Sequence, residues 1–495
     1  MHVYRKPKIP LCTLGSLRMR PVSPGLESNF GIKTVKICLN RVKSWGRTLG
    51  TASVLMLALG AAHAAHTPMP ATPKEWPMYA LNPGHNAYSA SNFPAVSWRF
   101  QSPGAPETRA NKMLNPTIIR DLVGFPIGVA VVDEVVYAPN DDGYLYALDA
   151  RSGKLLWRYN AFNQLMSTPI IADVGGIKSV FVGGGNSDFS YTNAKQFGVK
   201  DAPVIRGTGV SAIFALDART GKMRWVFPTQ GEDMPTPAYY KGKLLFGNGD
   251  GHAYALDAAT GKLLWKTEIK SFVSMSSATL DPERGVLVMG GTQPSKIYGL
   301  DAETGKLLWA VEPPNIFSSS AGDGTWAMHD GATIGQIETR SADQASAGTS
   351  SSEELAIDLK TGKILWSTTL GSGKSPPRNK DTVPTVVGDV VYTGSPVTHT
   401  EYALDASSGK ILWQQPLKVG MKGAPTVVGD AVIQATASGE IFTLARSTGQ
   451  VLHIYNAKQG GYGPQNGVVI GKTYFIGTNT GWLQAIPLHE LVIKE

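Results

Sequence analysis

Asp323 and Asp330 stand seven positions apart in Gly322-Asp323-Gly324-Thr325-Trp326 and the Asp330-Gly331 pair that follows. A carboxylic acid in a partly apolar pocket keeps its proton in an acidic medium and can pass it to a departing group. Trp326 offers an apolar wall for such a pocket. Arg109, Lys112, Lys195, Lys200, Arg206 and Lys422 offer charged donors for an anionic substrate. Arg206 ranks first because Gly207 and Gly209 permit close backbone approach. His329 sits beside an expected turn. No spacing of His or carboxylates suggests a metal site, and no cofactor is expected.

Six other aspartates are explained by a repeat. Tyr146-Ala147-Leu148-Asp149 leads to Gly153 and Trp157, and the pattern returns at Leu216-Asp217, Leu256-Asp257, Leu300-Asp301, Ile357-Asp358 and Leu404-Asp405. The apolar run reads as a buried strand, Asp to Gly as a tight turn, and the Trp segment as the next strand. Units of roughly 40 residues with four strands each are propeller blades. We name the strands A to D from the axis outward. C strands centre on Leu148, Leu216, Leu256, Leu300, Ile357, Leu404, Leu444 and Ile486, which predicts an all-β, eight-bladed propeller with four-stranded blades. The last unit lacks a D strand, and Val96-Ser97-Trp98-Arg99-Phe100 resembles one. The N-terminal strand is therefore expected to close blade eight.

Trp-to-Trp spacings locate long insertions in blades one, two and five, around 107–124, 183–211, 313–322 and 340–352. D-to-A and B-to-C connections leave an up-and-down blade on the same face. All the insertions are thus expected on one face, where a pocket belongs. Asp323 falls just before strand A of blade five, on that face and near the axis. Asp330 falls in the A-to-B turn on the opposite face. Asp233 and Asp381 also precede A strands and are the nearest competitors.

The formal charge of +8 comes from the front of the chain. Ten Lys/Arg and one acid, Glu27, precede Ala65; the remainder carries 36 basic and 37 acidic residues. The basic balance therefore gives no case for nucleic-acid binding. Lys36, Arg41, Lys43 and Arg47, the apolar run 52–59 and Ala62-His63-Ala64 read as an export signal. Residues 1–65 are assigned to that signal and its upstream extension, 66–94 to an extension of the mature chain, and 95–495 to the propeller. Cys12 and Cys38 both precede the cleavage site, so the exported chain has no disulfide, no thiol nucleophile and no lipid-bearing Cys. Charged residues make up 17% of the chain, against roughly 25% in average soluble proteins. Few carboxylates means a smaller swing of net charge in acid.

The Ala-Leu-Asp-Ala-x-Thr-Gly-Lys-x-Leu-Trp repeat resembles the blades of pyrroloquinoline-quinone-type propellers. That fold hosts quinone-dependent alcohol dehydrogenases, which carry an adjacent Cys-Cys pair over the cofactor, and lipoprotein scaffolds of outer-membrane assembly. The exported chain has no cysteine for either pattern. Eight blades, the insertions and Ser318–Trp326 together resemble the tetrathionate hydrolases of acidophilic sulfur-oxidising bacteria. The resemblance implies a small inorganic polythionate as substrate, split by water into thiosulfate, sulfate and sulfur. It implies Asp323 as catalytic acid, with Arg206, Trp326, Lys195 and Arg109 around the substrate. It also implies a homodimer formed through the insertion loops. Location in the periplasm, outside the cell, or peripherally on the outer membrane stays open, as do the scaffold and dehydrogenase readings.

Overall fold

The computed structural model describes residues 72–103, 124–125, 127–161, 163–185, 211–377, 381–464 and 466–492, and the backbone of 191–193 and 204–206. The expected export signal lies outside the described residues.

The chain forms an eight-bladed propeller of antiparallel, four-stranded blades. In blade three, strand A is Ala238–Tyr240, B is Lys243–Gly247, C is His252–Asp257 and D is Leu263–Glu268. Strand A is shorter than the expected 235–240, because Pro235 and Pro237 have no N–H for a ladder. The C strand is apolar through Ala253-Tyr254-Ala255-Leu256 because both its faces are covered by neighbouring blades. The D strand is at the rim and alternates between half-buried and exposed residues.

Two devices repeat around the ring. The Asp of each turn accepts from the backbone and hydroxyl of the residue three positions on, as Asp257 Oδ1 does from Thr260 N at 2.8 Å and Oγ1 at 2.6 Å. These aspartates therefore fix turns. Each Trp then docks on the next blade's turn. Trp157 Nε1 donates to Ala218 O at 3.0 Å, and its ring covers Gly221, where an added Cβ would lie 2.5 Å from the indole. Gly221 also has φ +68°, so glycine is required there twice over.

The ring closes as expected. Trp98–Gln101 pairs antiparallel with Trp482–Pro487, and Trp98 stands opposite Ala485 as Trp157 stands opposite Ala147. Trp98 Nε1 donates to Ala150 O at 2.9 Å in the turn of blade one. Deleting residues 66–100 removes the closing strand, with the packing of the half-buried Trp98 and Phe100 and the Trp98 hydrogen bond to blade one. The expected result is a sharply lowered melting temperature or no folded protein. An unchanged melting curve would contradict closure by this strand.

The segment ahead of that strand has a role the repeats do not announce. Residues 72–89 run along the axial edges of the A strands and occupy their unpaired N–H groups. Ile171 N donates to Trp76 O (3.1 Å), Tyr239 N to Pro77 O (2.7 Å) and Met328 N to Pro83 O (2.8 Å). Val386 N then donates to Gly84 O (2.7 Å) and Val469 N to Ala87 O (2.9 Å). His85 reaches Thr279 Oγ1 at 3.1 Å in blade four, and burial pushes its ring down to about 3, so it stays neutral. An inner strand edge left bare would bury unsatisfied donors. This plug supplies the acceptors and fills the axis.

Two insertions are partly described. In blade two, the segment between strand B, Ile177–Gly184, and strand C, Ser211–Asp217, contains a small hairpin, Tyr191–Asn193 with Val204–Arg206. In blade five, strands Ala332–Thr339 and Thr349–Asp358 are lengthened and joined by a helix, Ala342–Ala347, with Ser341 and Gln344 forming a capping box. The blade-one insertion, around 107–124, lies outside the described residues except for Gly124.

Candidate active site

A narrow cavity opens on the axis at the insertion face, with about 20 Å³ of space for solvent. Its walls come from the residues just ahead of the A strands. The strand ladders keep one register throughout: Ile170, Ala238, Thr279, Ala327, Thr385, Thr426 and Val468 hold the same place in blades two to eight. Four positions earlier stand Met166, Met234, Met275, Asp323, Asp381, Lys422 and Pro464. All of these except Asp381 line the cavity, with Thr236, Ser277, Thr325 and Val383 two positions further on. Tyr79 of the plug closes it below.

This rim is rigid for a stated reason. Thr168 N donates to Thr236 Oγ1 (3.0 Å), Thr236 N to Ser277 Oγ (3.1 Å), and Ser277 N to Thr325 Oγ1 (3.0 Å). Blades two to five are thus linked in sequence by a hydroxyl at one repeated position. Asp323 ends a single helical turn, Ser320–Asp323, gripped from both sides. Met275 N and Ser276 N of blade four donate to Gly322 O at 2.9 and 3.0 Å. Ser320 Oγ donates to Asp381 of blade six at 2.8 Å. Gly324 packs on the same aspartate, since a Cβ there would lie 3.4 Å from Asp381 Cβ. The flanking glycines serve this packing. Asp323 itself is half-buried and faces the cavity.

Behind Asp323 lies a group of buried carboxyls. Asp381 is raised well above the ordinary range, first by burial and then by the charges of Asp323, Glu338 and Glu354, against the Ser320 hydrogen bond. Burial lifts Glu354 to about 8, although Gln336 and Thr393 hydrogen bonds oppose it. Glu401 is raised well above the usual value by burial, and neither carboxyl oxygen has a hydrogen-bond partner. These groups are neutral acids at low pH. Glu354 and Glu401 occupy one register position on adjacent blades, opposite Gln336 and Gly394, where other blades carry Leu145, Ile213, Ile297, Ile441 and Leu483.

The residues singled out in the sequence are placed unequally. Asp323 and Lys422 come together at the cavity. Trp326 does not join them: it is 1% exposed, in the core, with its ring over Gly335, where an added Cβ would lie 2.5 Å away. Asp330 is in the A-to-B turn with φ +38°, exposed, and 3.9 Å from Arg284. His329 faces Asp389 at 3.6 Å beside that turn. Asp233 is buried, bonded to Thr229 Oγ1 and, at 2.7 Å, to Asn248 Nδ2; burial lifts it to about 8. Arg206 ends the strand Val204–Arg206. Arg109, Lys112, Lys195 and Lys200 lie outside the described residues. The three methionines and Tyr79 were not singled out. Counting back four residues from each aligned A strand would have found the methionines.

The family model of the outer membrane protein assembly factor BamB matches residues 95–190, 187–321 and 351–488. A tetrathionate hydrolase of Acidithiobacillus ferrooxidans is 32% identical over 467 residues, covering 84% of this chain and 86% of the relative. A tetrathionate hydrolase of Acidianus ambivalens is 29% identical over 391 residues, covering 75% and 72%. Among solved structures, the quinohemoprotein alcohol dehydrogenase of Comamonas testosteroni superposes with a TM-score of 0.57 at 14% identity, over 84% of this chain and 80% of that one. At that identity the likeness is one of fold.

Proposed function

The chain belongs to the tetrathionate hydrolase family, and from that membership we propose that its axial cavity hydrolyses tetrathionate with Asp323 as the proton donor. The observation that carries the reading is the placing of Asp323 and Lys422 in one cavity whose other walls combine apolar side chains with the hydroxyls of Thr236, Ser277 and Thr325. Among the described lining residues, Lys422 supplies the cation that a sulfonate needs. Arg206, Lys195 and Arg109, on or near the insertions, are proposed as further sulfonate partners. Trp326 acts from the core, through the packing that sets strand A behind Asp323.

The reaction consumes one water and yields thiosulfate, sulfur, sulfate and two protons. Water adds through oxygen to a sulfane sulfur. The central S–S bond breaks with its electron pair on the departing thiosulfate, whose sulfur takes the proton of Asp323. The remaining hydroxysulfane sulfonate resolves into sulfur and hydrogen sulfate. The proton lost by the attacking water restores Asp323. Chain residues contribute orientation and one proton, with general-acid help worth about 10²–10⁴-fold.

The mature protein is proposed to work outside the cytoplasmic membrane, after cleavage behind Ala64, as a homodimer through its insertions. Shortening 183–211 to a tight turn is expected to give monomers by light scattering. A variant that stays dimeric rules this loop out as the contact. The activity is tested by thiosulfate release from tetrathionate by the purified mature protein at acidic pH.

A further inference from the structure

The cavity is chemically divided. Blades two, three and four turn thioethers into it, Met166, Met234 and Met275, all at one register position. At the same position, blades five and seven carry Asp323 and Lys422. A wall that only needed to be apolar could be built from Val, Ile or Leu, as the blade interiors are. Instead three of the chain's 13 methionines meet on consecutive blades. The hydroxyl girdle of Thr236, Ser277 and Thr325 fixes their backbones, while their unbranched side chains remain adaptable. The slot is narrow, so an occupant must be matched by side chains that move aside, and methionine does this with least strain.

Such a wall suits a ligand with a soft, uncharged, polarisable middle and an anionic end. A thioether attracts divalent sulfur by dispersion more strongly than an alkyl group of the same size does. We propose that Met166, Met234 and Met275 form a subsite for the divalent sulfur atoms of a polythionate, and that this subsite discriminates among polythionates by chain length. The sulfonate lies toward Lys422 and the divalent sulfurs lie along the methionines. This rests on the reading that the cavity takes tetrathionate, and extends it to which part of the molecule is recognised and by what.

The test replaces all three residues by leucine, which keeps apolar volume and removes sulfur. Turnover and inhibition are then compared for the series dithionate, trithionate, tetrathionate and pentathionate. Dithionate has two sulfonates and no divalent sulfur. The triple variant is expected to melt near the parent temperature, as volume-conserving swaps do. Its KM for tetrathionate and pentathionate should rise about tenfold, the scale of a few sulfur contacts, with kcat little changed. Inhibition by dithionate should be the same in both proteins. If the triple variant fails to fold, Met275→Leu and Met166→Leu, at the half-buried positions, carry the test, each raising KM about twofold. Unchanged KM values, with the chain-length order intact, would overturn the subsite and leave the hydrolysis standing. An equal loss of dithionate affinity would also overturn it, because the methionines would then be shaping the cavity without reading sulfur. Absence of thiosulfate release by the parent protein would instead remove the proposed reaction itself.

Discussion

Asp323→Asn is expected to fold like the parent and to release thiosulfate about 10²–10⁴-fold more slowly, with KM little changed. The amide keeps the size of the carboxyl and cannot donate an acidic proton. The contacts of the helical turn through Gly322 O and Ser320 Oγ are left in place by this substitution. Asp330→Asn is expected to keep nearly full activity, since that residue is an exposed turn on the far face. Asp381→Asn mimics the neutral form that burial already imposes, so its effect on rate should be small beside that of Asp323→Asn. In the parent, activity should fall as pH rises through the pKa of the acid. A rate that climbs steadily toward neutral pH would make Asp323 a base or a bystander.

The second large effect is on stability. Glu354, Asp233, Asp381 and Glu401 have carboxyls raised by burial, the first two to about 8. Below the unfolded value near 4 they are protonated in both states, and their contribution to stability is fully present. As pH rises above that value, the unfolded chain ionises while the folded protein does not. Stability then falls with rising pH for each such group until its folded pKa is reached. The turn aspartates work in the opposite direction. Asp217, Asp301, Asp358 and Asp405 are lowered by hydroxyl hydrogen bonds, so their support is present above about 4 and is lost as pH falls. They are exposed, and solvent weakens what they contribute. The melting temperature should therefore peak in mild acid and drop on the order of 10 °C by pH 8. Glu401→Gln should flatten that decline, because its carboxyl has no partner to lose. Melting curves across pH 3–8 check both statements, and a melting temperature that rises toward pH 8 would refute the assignment of these groups as neutral acids.

The fold was legible because one physical requirement recurs. Blades one to six each need an Asp-bonded turn, a glycine under the neighbour's indole, and a doubly covered C strand, so Leu-Asp (Ile-Asp in blade five), Gly and Trp return in step. Trp98 betrayed the closing strand for the same reason. The plug was not legible, since residues 72–89 hold most of the A strands through backbone carbonyls, which any residue provides. In the site, Asp323 stood out because it fits no repeat position used for turns. Trp326 misled, because an aromatic ahead of strand A serves core packing over Gly335 as readily as a pocket wall. The buried acids were hidden too. Glu354 and Glu401 read as ordinary polar residues until the ladders place them where blade three buries Ala253 and the remaining blades bury Leu or Ile.

The most direct measurement is a mass balance. Purified mature protein is incubated with tetrathionate at acidic pH, and thiosulfate, sulfate and elemental sulfur are quantified over time. The account predicts one thiosulfate, one sulfate and one sulfur for each tetrathionate consumed, with no electron acceptor required and with the rate nearly abolished in Asp323→Asn. No thiosulfate, or tetrathionate loss that depends on an added electron-accepting dye, would contradict it.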